Sequence, residues 1–196
     1  SSPAMDLVLT GAVMLELAMA GHIRIADKRI EVIDRSAGSP AQTYLLDKMA
    51  GSPQPRKIQY WLNSLRISMK KIRAVVYQSL VEQRQIRLEE RRCLFFRWQK
   101  PFLNPGNHAS QVIDKVKRLI NQPSQESEET FLLLLLEPAQ LIRRIYPDRT
   151  MRKAARMKIR QFRDHNLSSQ AVQQATDVSK AIHMVLAARR AAAASA

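Results

Sequence analysis

Apolar positions along this chain recur mostly at intervals of three and four, the period of an α-helix. Leu9, Val13, Leu17 and Ala20 set an amphipathic helix over Met5 to Ala20, with Gly21 as the residue that ends it. His22 to Ile25 and Arg29 to Ile33 instead alternate apolar and polar residues around Ala26-Asp27-Lys28, the pattern of a short β-hairpin. A Ser/Gly/Pro loop over Asp34 to Pro40 leads into a short helix, Ala41 to Ala50, carrying Leu45, Leu46 and Met49. Gly51 to Pro55 breaks the chain, and two helices follow, Arg56 to Leu65 and Ser68 to Glu82. Ile86 to Leu88 and Leu94 to Trp98 read as a second hairpin with a charged turn at Glu89 to Arg92, closed by Pro101 and Pro105.

The second half is helical throughout. Ser110 to Asn121 predicts a basic amphipathic helix, and Gln122 to Glu128 a polar connector. Glu129 to Ile145 is apolar on nearly every side at its start, which predicts the central buried helix, ended or kinked by Pro138. Arg149 to His165 and Ser168 to Arg190 give two more helices, with residues 190–196 an Ala-rich frayed tail. The expected fold is mainly α: a single compact multi-helix domain over residues 1–196 with two short β-hairpins.

Composition agrees. About 45% of the 196 residues are apolar, 25% are charged and only 5 are Gly, a globular and helix-favouring balance. Charge changes the picture more. Lys and Arg number 32 against 17 Asp and Glu, a formal +15 that repels itself and marks attraction to a polyanion. Nucleic acid, anionic lipid and an acidic protein all satisfy it. The single cysteine, Cys93, excludes an internal disulfide framework and fits a reducing compartment. No signal peptide is visible, and the opening Ser1-Ser2-Pro3 reads as a trimmed start. The longest fully apolar run, Phe131 to Leu136, falls far short of the roughly 20 residues that span a bilayer. Membrane contact would therefore be peripheral.

Enzyme signatures are missing from the pattern. His22, His108, His165 and His183 have no metal-ligand partner at i+3 or i+4, and there is no Gly-rich phosphate loop. Cys93, among Arg91, Arg92 and Arg97, reads as a small core residue more readily than as an activated thiol. Glu16, in an apolar helix, reads as a helix-face carboxylate more readily than as a buried base. No catalytic residue, metal or cofactor is expected, and the chain reads as a non-enzyme.

Two features suit binding. On Ser68 to Glu82, Met69, Ile72, Val76 and Leu80 form the apolar stripe, and Arg66, Lys70, Arg73 and Tyr77 run along its flank. Cations at the edge of a buried face are partly desolvated, which strengthens a charge-assisted bond to phosphate. In the second hairpin Leu94, Phe95, Phe96, Trp98 and Phe102 crowd together, interrupted by Arg97 and Lys100. Rings flanked by cations suit a lipid interface, where the rings enter the headgroup boundary and the cations hold phosphates. Each cation near an anionic leaflet contributes about 1 kcal/mol, and each large apolar side chain removed from water roughly 1.5–3 kcal/mol. Several of each reach about micromolar affinity, a reversible association.

The order of landmarks also resembles a known family. Leu9-Thr10-Gly11-Ala12-Val13-Met14-Leu15-Glu16-Leu17-Ala18, followed by Gly21, His22 and Ile23, is similar to the opening helix of the Golgi phosphoprotein 3 family. Leu45-Leu46-Asp47, Trp61-Leu62 and Ser79-Leu80-Val81-Glu82 resemble its later landmarks, Leu94-Phe95-Phe96 its hydrophobic hairpin, and Phe131 to Leu136 its central helix. The resemblance covers essentially the whole chain, and the set is similar to a prokaryotic or otherwise divergent member. It implies a cytoplasmic, peripherally membrane-associated α-helical adaptor that binds phosphatidylinositol 4-phosphate. It also implies partnership with short cytosolic tails of membrane proteins such as glycosyltransferases, and a homo-oligomer formed through the hairpin. The family's two headgroup cations, three apart, fall on Lys70 and Arg73. Thr10 stands where the family has an Arg, no Trp matches further upstream, and Arg84 replaces the usual Gly before the hairpin. The expected headgroup set is therefore Lys70, Arg73, Arg66 and Thr10, with Leu94, Phe95, Phe96 and Trp98 as the membrane and oligomer hairpin. The alternative is a winged-helix-like nucleic-acid binder, since a helix, a hairpin and +15 would also suit phosphate-backbone contacts.

Overall fold

The first helix is built to be buried. A computed structural model describes residues 3–36, 38–65, 68–93, 96–123 and 128–195. In it, α1 (Pro3–Met19) buries Leu7, Val8, Thr10, Gly11, Val13, Met14, Leu15 and Leu17, so it is covered on nearly every side. Its neighbours are α2 (Pro40–Ala50), α3 (Ile58–Ser64), α4 (Ser68–Glu82) and the long last helix α9 (Gln170–Ala194). The chain is mainly α, with nine helices and two small antiparallel sheets among the described residues.

Gly11 sets the closeness of α1 to α9. A Cβ at that position would meet Ile182 Cδ1 at 2.8 Å and Val178 Cγ1 at 3.0 Å. The missing side chain is thus the space into which α9 fits. At the end of α1, Gly21 takes φ 79°, which lets the His22 N–H reach Leu17 O at 2.9 Å and the Gly21 N–H reach Ala18 O at 3.2 Å. That double bond satisfies the last carbonyls of the helix, as the sequence led us to expect.

The first hairpin forms where alternation placed it. β1 (Ile23–Ala26) pairs with β2 (Arg29–Val32), with Ile25 opposite Ile30. Asp27 and Lys28 both take positive φ, 49° and 59°, the tight two-residue turn that matches strand twist. A third strand joins them. β3 (Arg56–Lys57) pairs with β2 through Arg29 and Ile30, although the sequence reading put these residues in a helix. Pro53 and Pro55 hold the chain extended, so the helix begins only at Ile58.

The second hairpin is longer than expected, and its turn lies elsewhere. β4 (Ile86–Cys93) pairs with β5 (Phe96–Leu103) from Ile86↔Leu103 to Cys93↔Phe96. Glu89 to Arg92 are strand residues, and only Leu94 and Phe95, outside the described residues, separate the paired strands. Charged residues satisfy one another along one face of β4: Glu89 accepts from Arg87 and Arg91, two residues to either side, each at 3.1 Å. Pro101 is tolerated because a two-stranded ribbon has only edge strands.

Arg84, the residue before this hairpin, adopts φ 57°. The Gln85 N–H then reaches Leu80 O and the Arg84 N–H reaches Val81 O, each at 2.9 Å. The helix stop seen at Gly21 is therefore repeated with an Arg in the left-handed position.

The expected central helix over Glu129 to Ile145 does not form as one element. It breaks into α6 (Glu128–Leu132), a 3-10 turn (Leu133–Leu135) and α7 (Ile142–Ile145), and α1 takes the central place instead. Pro138 is the cause, because it lacks the N–H that would bond Leu134 O. The hydroxyl of Ser179 on α9 donates to that carbonyl at 2.9 Å. Phe131 and Leu133 to Leu136 remain buried, so the segment is core without being a helix. α5 (Ala109–Asn121) and α8 (Arg149–His165) pack beside it, and α9 continues through the Ala-rich residues to Ala194.

Two substitutions test this reading. Gly11→Val overfills the α1–α9 contact and should cost about 1–3 kcal/mol, seen as a melting temperature lower by about 2–4 °C per kcal/mol. Arg84→Gly should stabilise by about 1 kcal/mol, because Gly takes the left-handed position without a Cβ penalty. A lower melting temperature for Arg84→Gly would show that the Arg side chain outweighs its backbone strain.

Candidate anion-binding site

α4 presents Arg73 and Tyr77 on the flank of its apolar stripe, since residues four apart share a helix face. The second hairpin folds back against α4 through β4, bringing Arg91 on β4 and Gln99, Lys100 and Pro101 on β5 to that flank. Arg144 of α7 closes the far side. These seven residues line a cleft of about 1070 Å³ that gathers four cations, one each from α4, β4, β5 and α7. Asp6 offsets Arg73 and Glu89 offsets Arg91, but positive charge remains in excess around this space, so its potential favours an anion.

The cations are partly held in place. The Arg73 guanidinium donates to Asp6 Oδ1 on α1, and both side chains are largely buried, at 21% and 15% exposed. On the hairpin, Arg87, Arg91 and Lys100 surround the Phe102 ring at 5.6, 5.4 and 5.1 Å from its centroid. Such contacts orient the cationic heads while their stems cover the ring.

The residues singled out from sequence divide. Arg73 and Tyr77 line the cleft. Lys70 is exposed one turn earlier on α4 and is not part of the lining. Thr10, expected at the headgroup site, is fully buried, and its hydroxyl donates to Asp6 O at 2.8 Å. It supports the turn of α1 that carries Asp6. Arg66, Leu94 and Phe95 lie outside the described residues, and of Phe96 and Trp98 only the strand placement in β5 is described. Glu16 is exposed and accepts from Gln42 Nε2 at 3.4 Å, so it is no buried base.

Sequence reasoning missed Arg91, Arg144 and Asp6 as site residues, and had Lys100 only as a cation beside the hairpin rings. Arg143-Arg144 inside an otherwise apolar segment was the available signal, because a cation there must reach the surface. Among the described residues no group of three or more His, Cys, Asp or Glu could hold a metal ion. No helix among them is long and apolar enough to cross a membrane.

The family model of Golgi phosphoprotein 3 (GPP34) matches residues 1–179. This chain belongs to the Golgi phosphoprotein 3 family. The match runs from the start of the chain into α9 and includes every element that lines the cleft. No curated protein matches the chain significantly. For a Golgi phosphoprotein 3 family member the departures at Thr10 and Arg84 now have a structural reading: Thr10 is inside α1, and Arg84 keeps the helix stop by itself taking positive φ.

The pairing of Arg73 with Asp6 separates the two α4 cations by stability. Arg73→Ala leaves a largely buried carboxylate without this partner and should cost about 1–2 kcal/mol. Lys70→Ala, at an exposed position, should stay within about 0.5 kcal/mol. Denaturant unfolding of the two variants checks this, and equal midpoints would show that the ion pair adds nothing to the fold.

Proposed function

We propose that this chain is a peripheral membrane adaptor that takes an anionic lipid headgroup, phosphatidylinositol 4-phosphate in particular, in the cleft between α4, the second hairpin and α7. One observation carries the reading: Arg73, Arg91, Lys100 and Arg144 converge on a single space. Membership of the Golgi phosphoprotein 3 family supports the same class of function. A phosphate monoester offers several acceptor oxygens at nearly two negative charges, which suits several converging cations. Lys70 stands one turn away on the same helix and adds attraction at longer range. The apolar residues between the paired strands, Leu94 and Phe95, supply the insertion that charge alone lacks. Short cytosolic tails of membrane proteins and further copies of the chain are the partners this reading expects. It requires no catalytic step.

Co-sedimentation with neutral, generically anionic and phosphatidylinositol 4-phosphate-doped vesicles tests it. Binding should rank in that order at matched charge. Arg144→Ala should weaken binding to the doped vesicles about tenfold, as expected for one lost charge-assisted contact, without touching the Asp6 pair. Lys70→Ala with Arg73→Ala should weaken it further. Equal binding to both anionic sets would reduce the cleft to a patch of charge. Phe95→Ser should lower vesicle binding or self-association, and retention of both would return that residue to ordinary packing.

A further inference from the structure

A second cleft lies on another part of the molecule, between α8 and α9 beside the 3-10 turn. It measures about 290 Å³ and is lined by Leu134, Glu137, Ile159, Arg160, Arg163, Thr176, Ser179, Lys180 and His183. Its existence follows from the Pro138 break. Had residues 128–145 continued as one helix, Leu134 O would be bonded within it, and Ser179 would not be drawn to that carbonyl. The break leaves Glu137 at the rim, 3.8 Å from Arg156 and 3.9 Å from Arg160.

The lining has the chemistry of a small anion site. Thr176, Ser179, Lys180 and His183 lie at i, i+3, i+4 and i+7 on α9, and Arg160 and Arg163 face them from α8. Three fixed positive charges stand against one negative, that of Glu137. Asp164, outside the cleft, holds Arg163 from behind: Arg163 Nε donates to Asp164 Oδ1 at 2.8 Å. Nη2 lies 2.8 Å from the same oxygen, so the pair orients the guanidinium and offsets its charge, leaving the Nη1 N–H groups for a ligand.

A second, independent observation points to an occupant. Thr176 is only 6% exposed, and its hydroxyl has no hydrogen-bond partner. A buried hydroxyl without a partner is costly, and few native groups are left so. Thr176 lines the cleft, so an acceptor oxygen bound there would satisfy it.

We propose that the α8–α9 cleft binds a phosphate monoester, with Arg160, Arg163 and Lys180 taking its charge and Thr176 donating its hydroxyl to one oxygen. The site is separate from the α4–hairpin–α7 cleft, shares no lining residue with it and does not rest on the lipid reading. The monoester can be that of a soluble metabolite or of a lipid headgroup, and the two are distinguished by experiment.

The full chain is titrated with glycerol phosphate and inorganic phosphate against chloride at matched ionic strength, followed by calorimetry and by melting temperature. Vesicles doped with phosphatidylinositol 4-phosphate form a parallel arm. Arg160→Gln with Lys180→Gln, both at exposed positions, should raise the Kd for phosphate at least about tenfold. Arg118→Ala, an exposed cation on α5 outside both clefts, should leave it unchanged. Thr176→Val supplies the sharper test: it should raise the melting temperature without ligand and shrink the shift that phosphate produces. Loss of soluble phosphate binding in the Arg160/Lys180 variant assigns the site to a soluble monoester. Loss of vesicle binding alone in that variant assigns it to a headgroup. Unchanged titrations in both arms, or a Thr176→Val that lowers stability without ligand and leaves the phosphate shift intact, would overturn the proposal.

Discussion

The contact between α1 and α9 governs the rest of this fold. α1 is covered by helices from both ends of the chain, and Gly11 is what lets α9 come close enough to cover it. A helix buried on nearly every side has no polar face to offer, so the few polar groups on it must be matched inside. Thr10 bonds back to Asp6 O, and Asp6 reaches out of the helix to Arg73. The position of α4 is thereby tied to the core by an ion pair as well as by Met69 and Ile72. The cleft that α4 shares with the hairpin and α7 inherits its geometry from that packing.

The large positive charge is not spread evenly. One group of cations converges on the α4–hairpin–α7 cleft, another lines α8, and a third lies between α8 and α9. Few carboxylates stand close to them: Asp6 at Arg73 and Glu89 at Arg91, Asp148 at the start of α8, and Glu137 at Arg156 and Arg160 with Asp164 at Arg163. Asp148 accepts from the Met151 N–H at 2.9 Å, a bond that holds its carboxyl below its ordinary value and fixes the first turn of α8. Self-repulsion on this scale destabilises a compact state, and the long buried apolar cluster offsets it. Such an arrangement is sensible for a protein whose surface meets polyanions, since each bound anion relieves repulsion that the fold otherwise carries.

Family membership and the converging cations are the two grounds for the proposed docking at an anionic membrane surface. The two proposed sites differ on physical grounds. The larger one is open and bordered by the hairpin, which suits a headgroup still attached to its leaflet. The smaller one sits between two helices and contains an unsatisfied hydroxyl, which suits a ligand small enough to be surrounded.

Local pattern alone determined much of the molecule. The bounds of α4 and α8, the stop at Gly21 and the turn at Asp27-Lys28 follow from apolar period and turn chemistry, because those forces act within a few residues. The mainly helical fold and its family were legible for the same reason, as an ordered series of such local signals. What failed to follow was whatever depended on a distant partner. The break over residues 133–141 needed the Ser179 hydroxyl to accept the cost of Pro138. β3 needed the open edge of β2, and the long ladder of the second hairpin needed two strands in register from Ile86 opposite Leu103 to Cys93 opposite Phe96. Thr10 could be read as a headgroup residue until the packing around α1 buried it. Arg91, Lys100 and Arg144 belong to elements far apart in sequence, and only the tertiary packing of a hairpin and a short helix against α4 makes them one site.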